Sequence, residues 1–195
     1  MKNLFRFLFV LILGVSSIAT AAPITYLVNI GLSRGGVTGF IQTDGELGVL
    51  GSSSAFLDWN LNLWLWASPQ YESQTFDLLG PLSGGNSHVV YGGGSVTASL
   101  SQLTFDFTNG PSSLGFRADE GLPLLCYTAG GACGSGHHGI ETGWPQNGGS
   151  VIESWLPMYG VQVIAVAAPV PEPATLALVA LGLGGFLFSR RKHTS

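Results

Sequence analysis

The chain has 195 residues, and only 9% of them are charged. Residues 22–168, here called the body, carry ten acidic side chains against two basic ones, Arg34 and Arg117, so the net charge of the body is −8. This charge repels phosphate backbones and excludes nucleic acid as an expected partner. Abundant Gly, Ser, Thr and Asn favour strands joined by tight turns over helices.

Residues 1–21 are predicted to be a secretory signal peptide. Lys2 and Arg6 form a basic start, a short apolar stretch follows, and small residues close the segment. We expect signal peptidase to cut between Ala21 and Ala22. The alternative is a buried N-terminal helix, which Arg6 and the polar switch at Ser16 argue against.

The body is predicted to be a single all-β domain, a β-sandwich or jelly-roll-like fold of roughly eight to ten short strands. Segment 88–91 is expected to pair with 96–100 across three glycines, and 119–150 is expected to be rich in loops. These strands are drawn from the apolar segments 24–30, 37–43, 47–50, 58–66, 71–79, 88–91, 96–100, 102–107, 114–117, 151–156 and 160–166.

Segment 58–66 has the clearest alternation of apolar and polar side chains. One predicted face carries Trp59, Leu61, Leu63 and Leu65, and the other carries Asp58, Asn60, Asn62, Trp64 and Trp66. The last two tryptophans are either covered by another segment or form an exposed aromatic pair. Together with Trp144 and Trp155 they could stack on sugar rings; the alternative is packing in or beside the core.

Cys126 and Cys133 are the two cysteines of the chain. Export places them where disulfides persist, and closing so short a loop would stabilise the fold by roughly 2.5 kcal/mol. We therefore predict a disulfide between them. A zinc site that adds His137 and His138 is an alternative, although the spacing fits no recognised finger pattern.

Other polar residues suggest weaker alternatives. Ser87 with His88, and Ser135 with His137, suggest a hydrolase, but no G-x-S-x-G motif accompanies them. Asp119, Glu120 and Glu141 could bind Ca²⁺, although a D-x-D-x-D-G loop is missing. Asp44-Gly45-Glu46 is better explained as a turn. We expect no resident cofactor and no catalytic residue. The two carboxylates of a glycosidase could lie among the ten acids of the body, but no spacing in the sequence identifies such a pair.

The tail, 169–195, has three parts in a fixed order. Pro171, Glu172 and Pro173 come first, an uncharged apolar run from Ala174 to Phe188 follows, and Arg190, Arg191 and Lys192 come last. As a helix the run would span roughly 22 Å, short of a hydrocarbon core of about 30 Å, so it needs bilayer thinning or snorkelling to cross. The basic residues are expected to stay cytoplasmic.

These three features closely resemble the PEP-CTERM sorting domain. The resemblance implies recognition by an exosortase, an integral-membrane cysteine-peptidase-like enzyme of Gram-negative bacteria that usually produce exopolysaccharide. It also implies processing near the Pro-Glu-Pro motif. The expected route runs through an inner-membrane intermediate, with the body in the periplasm, to the cell surface or the extracellular space.

For the body itself we expect a non-enzymatic structural or adhesive role, associated with exopolysaccharide or biofilm. The alternatives are a secreted carbohydrate-binding module and a secreted hydrolase. An exposed aromatic strip would favour the first alternative, and a cleft that holds a carboxylate pair would favour the second.

Overall fold

The computed structural model describes residues 21–67, 72–108, 110–130, 138–145 and 151–169. Thirteen strands and one short 3₁₀ turn (Ser53–Ala55) form this part of the chain. The strands are β1 (Ile24–Leu32), β2 (Gly35–Thr43), β3 (Gly48–Val49), β4 (Phe56–Leu65), β5 (Gln74–Leu79), β6 (Ser87–Gly92), β7 (Val96–Ala98), β8 (Gln102–Asp106), β9 (Ser113–Ala118), β10 (Leu124–Ala129), β11 (His138–Pro145), β12 (Val151–Pro157) and β13 (Val161–Ala167).

The strands form two antiparallel sheets. The large sheet has eight strands in the order β3-β7-β8-β13-β1-β2-β4-β5, and the small sheet has five in the order β12-β11-β10-β9-β6. Aromatic rings meet between the two sheets, Trp59 against Phe116 at 5.4 Å and Phe105 against Tyr127 at 6.2 Å between centroids. The all-β class is thus confirmed, and the packed sheets have the layout of a β-sandwich.

Strand β4 shows how the sequence produces this layout. Trp59, Leu61, Leu63 and Leu65 are all buried in the core between the sheets. The alternate positions point to the outer face, as the period-two pattern predicts. The strand ends at Leu65, whose register partner Gly35 lies directly after the β1–β2 turn.

The expected hairpin between segments 88–91 and 96–100 is wrong. Strand β6 pairs with β9 in the small sheet, whereas β7 pairs with β8 and β3 in the large sheet. Residues 93–95 therefore carry the chain from one sheet to the other. Gly93 and Gly94 have φ of 89° and 62°, a backbone conformation that side chains disfavour, so the glycines mark a sheet crossing here.

The expected loop region 119–150 also needs correction, because it contains β10 and β11. Five of the six residues of β10 are buried, so the strand shows no alternation of exposed and buried positions. A strand covered on both faces gives no period-two signal, and the glycines around it look like turns.

Both ends of the body leave from the same end of the large sheet. The N–H of Ala168 donates to the carbonyl of Thr25 at 2.8 Å, and Tyr26 is the register partner of Ala167. We call this the terminal end. The opposite, distal end carries the β1–β2 turn at Ser33 and Arg34 and the last residues of β4.

Tyr127 is an unusual member of the core. It is fully buried, and within the described residues its hydroxyl has no hydrogen-bond partner. Burial raises the pKa of Tyr127 far above its ordinary value. The pKa values of Tyr26 and Tyr91 are also raised by burial. In the unfolded chain, tyrosines lose their protons near pH 10, whereas the native chain keeps them to higher pH. The contribution of these tyrosines to the free energy of unfolding is therefore complete below about pH 10 and decreases above it.

We expect Tyr127→Phe to raise the free energy of unfolding by about 1 kcal/mol at pH 7, because it removes an unsatisfied buried hydroxyl. The loss of stability above about pH 10 should also become shallower. Tyr91→Phe is the matched control: its hydroxyl donates to the carbonyl of Leu50 at 2.7 Å, so its removal should cost about 1 kcal/mol. Urea unfolding at pH 7 and pH 10.5 measures both. A Tyr127→Phe protein less stable than Tyr91→Phe would contradict the expectation.

Candidate functional site

A cleft of about 660 Å³ lies along β5, the edge strand of the large sheet. Its opposite wall is the turn that follows β9, at residues 118–123. Three carboxylates line it, those of Asp77, Asp119 and Glu120, beside the apolar side chains of Phe76, Leu122 and Pro123. An open cleft with both kinds of lining can take a polar ligand that also presents apolar surface.

Asn86 joins the two walls of this cleft. Its side chain accepts from the N–H of Leu79 at 2.7 Å and donates to the carbonyl of Asp77 at 2.9 Å, which fixes it to β5. Its own carbonyl accepts from the N–H of Asp119 at 3.0 Å. One amide residue therefore sets the distance between the carboxylate-bearing walls.

Asp58, on β4, stabilises the turn that precedes Asn86. The sequence places it on the outer polar face of β4, yet it is only 5% exposed. Its carboxylate accepts from the N–H of Leu82 at 3.0 Å and from the hydroxyl of Ser83 at 2.6 Å. These bonds hold the turn that leads from β5 to Asn86. A structural role of this kind leaves no sign in the period-two pattern.

The cleft region is electrostatically negative. His88 lies 3.1 Å from Asp119, and both side chains are more than half exposed, so this pair is screened by water. The body carries only two arginines for its ten acids. Anionic ligands are therefore repelled, and cationic or hydroxyl-rich ligands are favoured.

Trp64 and Trp66 form an aromatic pair, as one of the two expectations had it, but only Trp66 is exposed, and Trp64 is half-buried. Their ring centroids are 5.3 Å apart with the planes tilted by 48°, and Trp66 is 58% exposed. Trp64 is the register partner of Gly36 on β2, and a Cβ at Gly36 would overlap its indole. The indole thus lies against the β2 backbone. The pair sits at the distal end, where the N–H of Trp66 donates to the carbonyl of Arg34 at 2.9 Å.

The other two tryptophans considered for sugar stacking lie elsewhere. Trp144 is fully buried, so it is a core residue and cannot stack on an external ligand. Trp155 is 46% exposed on β12 of the small sheet. The four tryptophans therefore do not form one strip.

The predicted disulfide and the zinc alternative fall partly outside the described residues, because Cys133 and His137 lie there. Cys126 is fully buried in β10, and within the described residues no cysteine is a free thiol. His138 shares a hydrogen bond of 2.7 Å with the carbonyl of Phe107 through Nδ1. The pairing of the cysteines stays a prediction.

The suggested Ser87–His88 pair is not brought together. The hydroxyl of Ser87 is held in the interior, where it accepts from the indole N–H of Trp59 at 2.9 Å and donates to the carbonyl of Leu79 at 2.8 Å. His88, the next residue of the strand, points to the opposite face. Ser135 lies outside the described residues.

The acidic residues considered for calcium divide between two places. Asp119 and Glu120 line the cleft, whereas Glu141 lies on β11 opposite Cys126. Within the described part of the chain, no three His, Cys, Asp or Glu side chains lie close enough together to hold a metal ion. Asp44 forms the expected turn, since its carboxylate accepts from the N–H of Glu46 at 3.0 Å.

Comparison with known families identifies the end of the chain. Residues 169–192 match the PEP-CTERM protein-sorting motif. No curated protein and no solved structure matches the chain. The protein is thus a PEP-CTERM sorting domain-containing protein, and the motif implies sorting by an exosortase and export to the cell surface. The tail residues 170–195 lie outside the described residues. Among the described residues, no helix is long and apolar enough to cross a membrane.

Proposed function

We propose that the body is a non-enzymatic structural or adhesive domain that associates with exopolysaccharide at the cell surface or in a biofilm. The observation that carries this proposal is the open acidic cleft along the β5 edge. Its mixture of carboxylates and apolar side chains suits a hydroxyl-rich polymer, which presents hydrogen-bond donors together with apolar ring faces.

The position of the chain ends supports the same proposal. The sorting tail follows directly after β13 at the terminal end, beside the start of β1. In this proposal, residues 174–188 hold the intermediate in the inner membrane until the tail is removed. After cleavage by signal peptidase and by the exosortase, the body is delivered outside with its cleft open to the matrix.

A secreted glycoside hydrolase is the second candidate, because three carboxylates line one cleft. Such enzymes need two of them, one as a general acid and one as a nucleophile or base. Asp77 and Asp119, on opposite walls, are the pair that this reaction would use. The engaged hydroxyl of Ser87 argues against serine-based hydrolysis.

A cosedimentation experiment tests the proposal. Processed protein, purified from an exosortase-positive host, is mixed with that host's exopolysaccharide and centrifuged. We expect it to sediment with the polymer and to release no reducing sugar. The Asp77→Asn, Asp119→Asn, Glu120→Gln triple variant should sediment at least about tenfold less, since hydrogen bonds to charged groups contribute about 1.5–3 kcal/mol each. Absence of cosedimentation would contradict the proposal, and release of sugar would establish the hydrolase instead.

A further inference from the structure

We propose that Trp64 and Trp66 form a binding platform for the sugar rings of a polysaccharide with free amino groups, and that this platform extends the cleft. The inference rests on the proposed function, because it names where the polymer binds and which class of polymer is bound. It starts from the aromatic pair, in which Trp66 is 58% exposed and packs against Trp64.

The platform has a fixed shape. The indole of Trp64 lies on the β2 backbone because Gly36 has no side chain to lift it. Trp66 leans against it at 48°, which gives two ring surfaces at an angle rather than one flat strip. A rigid indole loses little side-chain freedom on binding, so exposed tryptophan is an efficient anchor for the apolar face of a pyranose ring.

Polar groups lie beside the platform on the same face of the sheet. The register places Asn62 next to Trp64 on β4, and Asp77 next to Thr75 on β5. The amide of Asn62 donates to the carboxylate of Asp77 at 2.8 Å, which orients this carboxylate. A carboxylate has about four acceptor positions, so it can still accept from sugar hydroxyl or ammonium groups.

The platform borders the cleft through cross-strand pairing. Thr75 and Asp77 line the cleft and are also cross-strand partners of Trp64 and Asn62. From Thr75 to Leu79 the edge strand runs about 14 Å, enough for a short run of sugar residues. A polymer chain can therefore lie with one ring on the tryptophans and the following rings along the carboxylates.

Charge complementarity selects the class of polymer. Asp77 lies two residues beyond Thr75 on the edge strand, and Asp119 and Glu120 line the same cleft. The body as a whole has a net charge of −8. A polymer of uronic acids would be repelled, and an uncharged polymer would gain only hydroxyl hydrogen bonds from the carboxylates, without charge attraction. A polymer with ammonium groups, such as a deacetylated amino-sugar chain, gains from both the rings and the charges.

Titration calorimetry with three hexasaccharides tests this inference on the processed protein. The probes are hexameric glucosamine, hexameric N-acetylglucosamine and hexameric galacturonic acid. We expect glucosamine to bind at least about tenfold more tightly than its acetylated form, and the uronic acid not to bind. Trp66→Ala should weaken glucosamine binding about tenfold, whereas Trp155→Ala, an exposed tryptophan on the other sheet, should leave it unchanged.

Asp77→Asn separates the two components of the site, because it should remove the preference for free amines while some ring binding remains. Equal binding of the acetylated and free hexamers would overturn the charge selection, and unchanged binding by Trp66→Ala would overturn the platform. If no hexamer binds while the protein still sediments with the host exopolysaccharide, the inference fails and the proposed function stands. If neither binds, both fail.

Discussion

Glu172→Ala is expected to leave the sorting tail on most of the exported protein. The sequence Pro171-Glu172-Pro173 predicts an extended segment, because proline has no N–H group and disfavours the helical conformation of the residue before it. We therefore expect Glu172 to lie at the membrane surface, within reach of a processing enzyme. Loss of a charged hydrogen-bonding group costs about 1.5–3 kcal/mol, which lowers processing roughly tenfold to a hundredfold.

The measurement is the mass and location of the protein in an exosortase-positive host and in the same strain without the exosortase. Wild-type protein should lose its C-terminal tail only in the first strain, and deletion of residues 171–195 should prevent surface delivery. Glu46→Ala is the matched control, because it removes an exposed glutamate from the body and should be processed normally. Normal processing of Glu172→Ala would show that the carboxylate plays no part in recognition.

The parts of the fold that the sequence predicts are those with one face on the core and the other in solvent. In β4 the alternation identifies both the buried face and the outer position of Trp64 and Trp66, because each residue type reports one environment. In β10 the same method fails. Cys126 and Thr128 are as buried as Leu125 and Tyr127, so hydrophobicity no longer separates the faces.

Long-range pairing explains the other errors. Segments 88–91 and 96–100 look like a hairpin because neighbouring strands usually pair, but the chain crosses between sheets at Gly93 and Gly94. The cleft also depends on long-range contacts, so the sequence does not predict it. Asp77 lies on β5 of the large sheet and Asp119 in the turn after β9 of the small sheet, and Asn86 links them by hydrogen bonds that no local pattern reveals. The tail is different, because its three features are contiguous and need no folding to be recognised.

Gly39→Ala is expected to lower the free energy of unfolding by about 3 kcal/mol or more. Gly39 lies in the middle of β2 with a φ of 138°, a conformation that costs a residue with a Cβ about 1–3 kcal/mol. The added Cβ would also overlap the carbonyl oxygen of Asn60 on the adjacent strand. Because this contact is with backbone, β2 and β4 would have to separate in the middle of their pairing, one strand in from the β5 edge of the large sheet.

Gly31→Ala in the neighbouring strand is the matched control. A Cβ there meets nothing within 4 Å, and its φ is outside the restricted range. The change should be neutral or stabilise by about 0.5 kcal/mol, since alanine loses less backbone freedom than glycine on folding. Urea unfolding of the two variants compares them directly. Equal stability would mean that β2 shifts without cost, and the tight β2–β4 contact that positions Trp64 over Gly36 would then be much softer than its geometry indicates.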